Sequence, residues 1–172
     1  MNDVPVTSEK QSQPSSSASG SGEASAQAGD SGEAAAAPAP SFVQPVDGQI
    51  TQVYSGDELV YNDTLKDWRT HNGVDIACGE NAQVKSAVAG TVCNIYDDGM
   101  WGRIVEVEAG ELTWRYAGLN ADSLQVAVGD AVSAGQAIGT VGEVMAETAA
   151  GPHLHLEVLK GGNRVDPQHH FG

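Results

Sequence analysis

From Phe42 onward the chain runs in short stretches of alternating apolar and polar positions, cut by Gly, Asp and Asn. A period of two places successive side chains on opposite faces of a β-strand. The pattern predicts strands at Gln49–Tyr54, Gly73–Ile76, Gln83–Ala87, Gly90–Tyr96, Arg103–Glu108, Leu112–Ala117, Ala137–Val141 and His153–Leu159. Glycines at many junctions, among them Gly48, Gly79, Gly90, Gly99, Gly110 and Gly129, imply frequent tight turning, as in an antiparallel sandwich or barrel. No stretch after residue 42 holds a 3.6-residue apolar period for roughly ten residues, so helix is expected only as single turns, at Leu65–Thr70 and Asp122–Leu124. Gly161-Gly162 predicts a turn after the last strand. The fold class is therefore mainly β.

The alternation is most informative in Gly151-Pro152-His153-Leu154-His155-Leu156-Glu157-Val158. On a strand His153, His155 and Glu157 share one face, and Leu154, Leu156 and Val158 the other. The apolar face seals a core and the imidazoles look into a groove.

Residues 1–41 break the pattern. They are Ser, Gly, Ala, Gln and acid, with little apolar beyond Val4 and Val6. Such a segment cannot bury enough surface to offset its chain entropy, so a disordered acidic linker is expected over 1–41 and a folded domain over 42–172. Pro38 and Pro40 oppose a helix through Ala34–Ala37. A spacer of this composition suits a domain held away from an anchor. The chain has neither a run of ~18–20 apolar residues nor a basic and apolar leader, so an anchor or export signal is expected upstream.

Charge narrows the partners. The formal net charge is -15, and both the first forty residues and the remainder are acidic. Such a surface repels phosphate backbones and anionic lipid, so nucleic acid is excluded as a natural partner and the membrane is reached only through an anchor. The two cysteines, Cys78 and Cys93, do not make a disulfide scaffold and are expected as small buried hydrophobes.

The candidate chemistry begins with His71-Asn72-Gly73-Val74-Asp75. Fully extended, His71 and Asp75 would lie about 13 Å apart, at roughly 3.3 Å per residue. Two ligands of one metal converge to ~2 Å of it, so the backbone must fold back, and Asn72-Gly73 tolerates the left-handed conformations that allow this. Alone, the spacing equally fits an exposed His before a strand with Asp75 in a turn. His153 and His155 alone equally fit a solvent-facing strand. Together, His71, Asp75 and His155 supply two imidazoles and a carboxylate. Three protein ligands with a fourth position left for water form an open, catalytic zinc site. His153 would then move protons or stabilise an oxyanion.

His71 to Asp75 and His153-Leu154-His155 resemble the paired His-x-x-x-Asp and His-x-His motifs of the M23 zinc peptidases, whose domain is called LytM. Ala82–Val92 and Val128–Gly139 resemble that family's first hairpin and its Gly-rich segment. The resemblance covers about residues 42–168. It implies an antiparallel β-sheet core with a groove over bound Zn2+, ligands His71, Asp75 and His155, a catalytic His153, and action on peptidoglycan peptides. The longer stretch Asp57–His71 resembles the sporulation branch of the family. Those domains stand between two membranes and pair with a cell-envelope protein of the stage III sporulation protein AH type.

One departure changes the expected function. Active members carry a further histidine in a Tyr-x-His-Leu run, and here the run is Tyr116-Ala117-Gly118-Leu119. Gly118 stands in that place, and His169 and His170 near the C-terminus read as a tail. Loss of one positioned acid–base group costs ~10²–10⁴ in rate, with Tyr116 or Arg115 as partial substitutes. The expectation is a zinc-binding module of a sporulation-type intermembrane complex with weak or absent hydrolysis; the alternative is an active peptidoglycan endopeptidase. A biotinyl or lipoyl carrier is a third reading, set aside because Lys85 lacks the Met-Lys-Met surroundings. Trp68, Trp101 and Trp114 are expected in the core or groove wall, with Trp101 the most exposed. The Tyr54–Trp68 stretch is expected as a groove rim, a partner-binding edge or a loop packed on itself.

Overall fold

The structure is a computed structural model that describes residues 42–171. The expected linker over 1–41 lies outside the described residues. Twelve strands follow in order: β1 (Gln49–Gln52), β2 (Val60–Asn62), β3 (Asp67–Arg69), β4 (Val74–Ala77), β5 (Gln83–Lys85), β6 (Gly90–Asp98), β7 (Gly102–Ala109), β8 (Leu112–Leu119), β9 (Ala131–Val132), β10 (Ala137–Thr140), β11 (His153–Lys160) and β12 (Asn163–Val165). Eight form one sheet in the order β1-β4-β11-β8-β7-β6-β9, with β12 paired to β11. Every pairing is antiparallel. Two small hairpin-like sheets, β5–β10 and β2–β3, flank it. Helix among the described residues is limited to three short 3-10 segments, Ala121–Ser123, Met145–Ala150 and Pro167–His170. The mainly β, antiparallel expectation holds.

The alternation dictates the two faces. Val74 and Ile76 of β4, Leu154, Leu156 and Val158 of β11, Trp114 and Tyr116 of β8 and Val105 and Val107 of β7 belong to one buried core with Val84 and Ile138. Each fully buried Leu or Val stabilises the fold by about 1.5–3 kcal/mol relative to exposure. The opposite face of β4 and β11 carries Asp75, His153, His155 and Glu157, all buried. Both predicted faces of β11 are therefore seen.

Several local expectations fail for identifiable reasons. Leu65–Thr70 is not a helical turn. Asn62 accepts hydrogen bonds from Leu65 N through its side chain (2.8 Å) and from Lys66 N through its carbonyl (2.8 Å), and Lys66 takes a left-handed φ of 57°. These contacts close a β2–β3 hairpin instead, within the Tyr54–Trp68 stretch. Trp68 on β3 meets Tyr61 edge-on at 5.6 Å and is 66% exposed, so it is neither core nor groove wall. Trp101 is half-buried rather than the exposed one, because it lies against His155. Cys93 is exposed and Cys78 half-buried, and both are free thiols rather than buried hydrophobes. Cys93 lies on the outward-facing side of β6.

Candidate metal centre

His155 and Asp75 are cross-strand neighbours in the β4–β11 register. Side chains directly opposite on one face bring their Cβ atoms to about 4.5–5.5 Å. His155 Nδ1 lies 2.7 Å from Asp75 Oδ1. His71 sits ahead of β4, outside the strand. Its N–H donates to Ser55 Oγ (2.8 Å), its carbonyl accepts from Ser55 N (3.0 Å), and its Nδ1 donates to the Val53 carbonyl (2.8 Å). That bond turns Nε2 towards Asp75 Oδ1, at 3.1 Å. The chain thus folds back between His71 and Asp75 as required, but not through left-handed residues: neither Asn72 nor Gly73 has a positive φ. Gly73 is needed for space. A Cβ there would meet the Leu156 carbonyl at 2.4 Å and His155 Nε2 at 3.0 Å.

A fourth group joins these three, and the sequence reading missed it. Glu147, from the 3-10 segment Met145–Ala150, places Oε2 3.4 Å from His155 Nδ1 and Oε1 3.6 Å from His71 Nε2. One donor atom from each of His71, Asp75, Glu147 and His155 lies within 4.8 Å of the others, and all four residues are buried. Nothing in the local pattern separated Glu147 from Glu143; the only cue was an acid in the loop immediately before the His-x-His strand.

The donor set fits a dication. With Nδ1 donating to Val53, a neutral His71 presents the Nε2 lone pair to a carboxylate oxygen, and two acceptors face each other. Asp75 Oδ2 is buried and has no hydrogen-bond partner. Such a cluster needs protons or a cation at its centre. Without a cation the protons are shared as the pKa directions indicate. Burial works against the charged forms throughout. It is outweighed at His155, which hydrogen bonds to Asp75 and Glu147 hold well above the usual imidazole range. Hydrogen bonds from His155 and His71 outweigh burial at Asp75, and those from His153 and His155 outweigh it at Glu147, so both carboxyls lie below the usual carboxylate range.

His155 Nε2 is buried without a hydrogen-bond partner; the carboxylate facing it is Glu157, with Oε1 at 3.6 Å, and Glu157 is gripped by Arg115 (2.7 Å) and Arg164 (3.0 Å). A carboxylate behind an imidazole raises its basicity. Trp101 covers the His155 ring, centroids 4.3 Å apart.

His153 stands beside the cluster but is already engaged. Nδ1 donates to the Gly151 carbonyl (2.8 Å) and Nε2 to Glu147 Oε2 (3.2 Å). Burial lowers its pKa, yet Glu147 and Gly151 raise it by more. The two substitutes suggested for the absent histidine do not reach the site. Tyr116 faces the core, where its hydroxyl accepts from Ala87 N (2.7 Å) and burial pushes its pKa up to about 12. Arg115 is spent on Glu106 (2.8 Å) and Glu157. His169 is exposed and His170 packs edge-on towards Trp114, both away from the cluster.

Gly118 is a built feature of β8. Its φ is +79°, and its N–H donates to the Trp101 carbonyl (2.8 Å) while its carbonyl accepts from Gly142 N (2.7 Å). A Cβ on it would lie 2.4 Å from Val144 Cγ2.

The family model described as peptidase family M23 matches residues 69–167, which hold every residue of the cluster. The chain belongs to peptidase family M23. Its LytM-type fold is shared with solved members. The chain is 32% identical over 112 residues to stage II sporulation protein Q of Bacillus subtilis, a match covering 63% of this chain and 38% of that protein. It therefore spans well under half of that relative. A crystal structure of a SpoIIIAH and SpoIIQ complex matches with TM-score 0.64 and 25% identity, over 74% of this chain and 98% of the other. A zinc-containing peptidase from Vibrio cholerae matches with TM-score 0.60 and 29% identity, over 74% and 39% of the two chains. This M23 domain thus stands among both a sporulation relative and a zinc peptidase.

Proposed function

We propose that this M23 domain binds zinc through His71, Asp75 and His155, has lost efficient hydrolysis, and serves as a binding module in a cell-envelope assembly. Gly118 carries the reading. The position that would hold a second acid–base imidazole has a left-handed backbone and no room for a side chain, because Val144 fills the space. Loss of a positioned acid–base group costs ~10²–10⁴ in rate. His153 retains its place, but its two nitrogens are committed to Gly151 and Glu147. Zinc, when bound, supplies Lewis acidity and a cross-link between the segment before β4, β4 itself and β11. His71 is pre-oriented for that cross-link by the hydrogen bond from its Nδ1 to the Val53 carbonyl.

In this reading residues 42–172 act as one domain, residues 1–41 are its tether, and an upstream anchor holds it outside the cytoplasm. The partner is another envelope protein of the stage III sporulation protein AH type, presented from a facing membrane. Similarity to SpoIIQ and to a structure of SpoIIQ with SpoIIIAH supports this. Peptidoglycan is a second ligand class.

The second reading, an active zinc endopeptidase, is favoured by the survival of His153 beside the cluster. Zinc-loaded protein incubated with purified peptidoglycan separates the two. The expected result is about one zinc per chain, lost in Asp75→Ala, no release of peptide fragments, and a measurable complex with the soluble domain of an AH-type partner. Fragment release at peptidase rates that disappears in Asp75→Ala would overturn the proposal in favour of the enzyme.

A further inference from the structure

Catalytic zinc sites in proteins leave one coordination position open to water, whereas structural sites are filled by four protein ligands. On the reading that this centre takes zinc, we infer that Glu147 is its fourth protein ligand and closes it. Four donors at ~2.0–2.1 Å from one ion stand about 3.3 Å from each other in a tetrahedron. The Glu147 carboxylate straddles the two imidazoles, with Oε2 3.4 Å from His155 Nδ1 and Oε1 3.6 Å from His71 Nε2, Asp75 Oδ1 lies 2.7 and 3.1 Å from the same nitrogens, and one donor atom from each of the four residues lies within 4.8 Å of the others. Asp75 and Glu147 together bring two buried carboxylates to the place where one dication would sit.

Glu147 is held in place rather than swept in by chance. It sits at a break in the Met145–Ala150 segment, with φ -137° and ψ 27°, which turns its side chain out of the 3-10 run. The residues on either side are tied to two other parts of the fold. Ala146 N donates to the Met100 carbonyl (2.9 Å) in the β6–β7 turn. Asn62 Nδ2 donates to the Ala146 carbonyl (3.3 Å), and Ala149 N donates to Thr64 Oγ1 (2.9 Å). Asn62 and Thr64 belong to the β2–β3 hairpin, so the Tyr54–Trp68 stretch straps the Glu147 segment down over the metal. The start of the same segment fills the space at Gly118 and Gly102: Val144 abuts the first, and a Cβ on Gly102 would meet the Glu143 carbonyl at 2.5 Å. Loss of a side chain at 118 and delivery of Glu147 are thus two consequences of one loop path. Two pockets open beside the cluster: one of about 180 Å³ lined by Gln52, Asn62, His71, Trp101 and Glu147, and one of about 640 Å³ that reaches His153 along Val144, Thr148 and Gly151 but is lined by none of the four candidate ligands.

The test uses cobalt(II) in place of zinc in the full chain, because its visible spectrum reports whether small anions can join the coordination sphere. The wild-type spectrum should be unchanged by excess azide. Glu147→Gln, which keeps the side-chain shape, should give a spectrum that azide alters. It should also weaken zinc, measured against a chromophoric chelator, by at least tenfold, since even residues behind the ligands are worth 10–100-fold. A wild-type spectrum that shifts with azide, or zinc binding unchanged in Glu147→Gln, would overturn the assignment of Glu147. If zinc binding is lost in Asp75→Ala yet unchanged in Glu147→Gln, only the closure is wrong and the zinc reading stands. If the wild type takes up neither metal, both fall.

Discussion

Placing a histidine at position 118 is the sharpest test of the proposed loss of hydrolysis. Gly118→His is the direct perturbation, and Gly118→Ala separates its backbone cost from its ring. A residue with a Cβ at φ +79° costs about 1–2 kcal/mol over glycine. The backbone cannot swing away, because the Gly118 N–H and carbonyl are bonded to Trp101 and Gly142 on opposite sides. The new Cβ also lies 2.4 Å from Val144 Cγ2. Val144 is 4% exposed and β-branched, with little rotameric freedom to yield. Overpacking of this kind costs about 1–3 kcal/mol. The sum, about 2–5 kcal/mol, falls mostly on the Cβ, so Gly118→Ala should lose nearly as much as Gly118→His. For a domain of this size it corresponds to a fall in Tm of roughly 10–20 °C. Val144→Ala in the Gly118→Ala background should recover the packing part and leave the conformational part, and thermal melts of the four proteins give the coupling. Gly118→His, assayed at a temperature where it is folded, should still not release peptides from peptidoglycan. A Gly118→Ala protein that melts with the wild type would refute the steric account. Hydrolysis gained by Gly118→His alone would refute the claim that the loop path, and not merely one missing side chain, silences the site.

Three further outcomes are expected. Asp75→Ala removes the partner of two buried imidazoles and should cost about 3–5 kcal/mol in the metal-free protein, seen as a lower urea midpoint; an unchanged midpoint would show that the cluster contributes nothing without metal. Glu157→Gln weakens the carboxylate behind His155 and should lower zinc affinity about 10–100-fold by chelator competition while leaving the β11 register intact, an expectation ended by wild-type affinity. The pH dependence should differ with metal. His155 has a folded pKa above its ordinary value, so its contribution to metal-free stability is full below about pH 6.5 and is lost as pH rises through the raised value. Asp75 and Glu147 have lowered values, so theirs is full above about pH 4 and is lost as pH falls through them. Zinc requires deprotonated imidazoles, so the Tm gap between zinc-loaded and chelator-stripped protein should widen from about pH 6 to about pH 9; a constant gap would contradict it.

The parts of this site that were legible in the sequence are those fixed by short-range geometry. Alternation assigned His155 and Glu157 to one face of β11 and Leu154 and Leu156 to the core, because side-chain direction on a strand depends only on position parity. The His71-to-Asp75 spacing required a fold-back, and that occurs, although the role of Gly73 is to let the Leu156 backbone carbonyl and then the His155 ring approach, and not to turn the chain through a left-handed residue. The hairpin was not legible, because it is decided by the Asn62 side chain capping a turn at Lys66, and Trp68 is exposed on it despite its apolar bulk.

Glu147 and Gly118 show why the remaining part was hidden. Gly118 looked like a simple deletion of an imidazole, a local loss with local consequences. Its cause is long-range: the path of residues 143–147 across Gly102 and Gly118 is set by bonds to Met100, Asn62 and Thr64, which are far away in sequence. Parity and spacing carry no information about such a path. A reading of Gly118 alone leaves three ligands and an open fourth position, the arrangement of an impaired enzyme. With the loop in place the same glycine accompanies a second carboxylate as fourth donor, which on the proposed reading is the arrangement of a structural centre. The difference between a damaged catalyst and a metal-stapled binding domain therefore rests on one loop carboxylate and not on the motifs that identify the family.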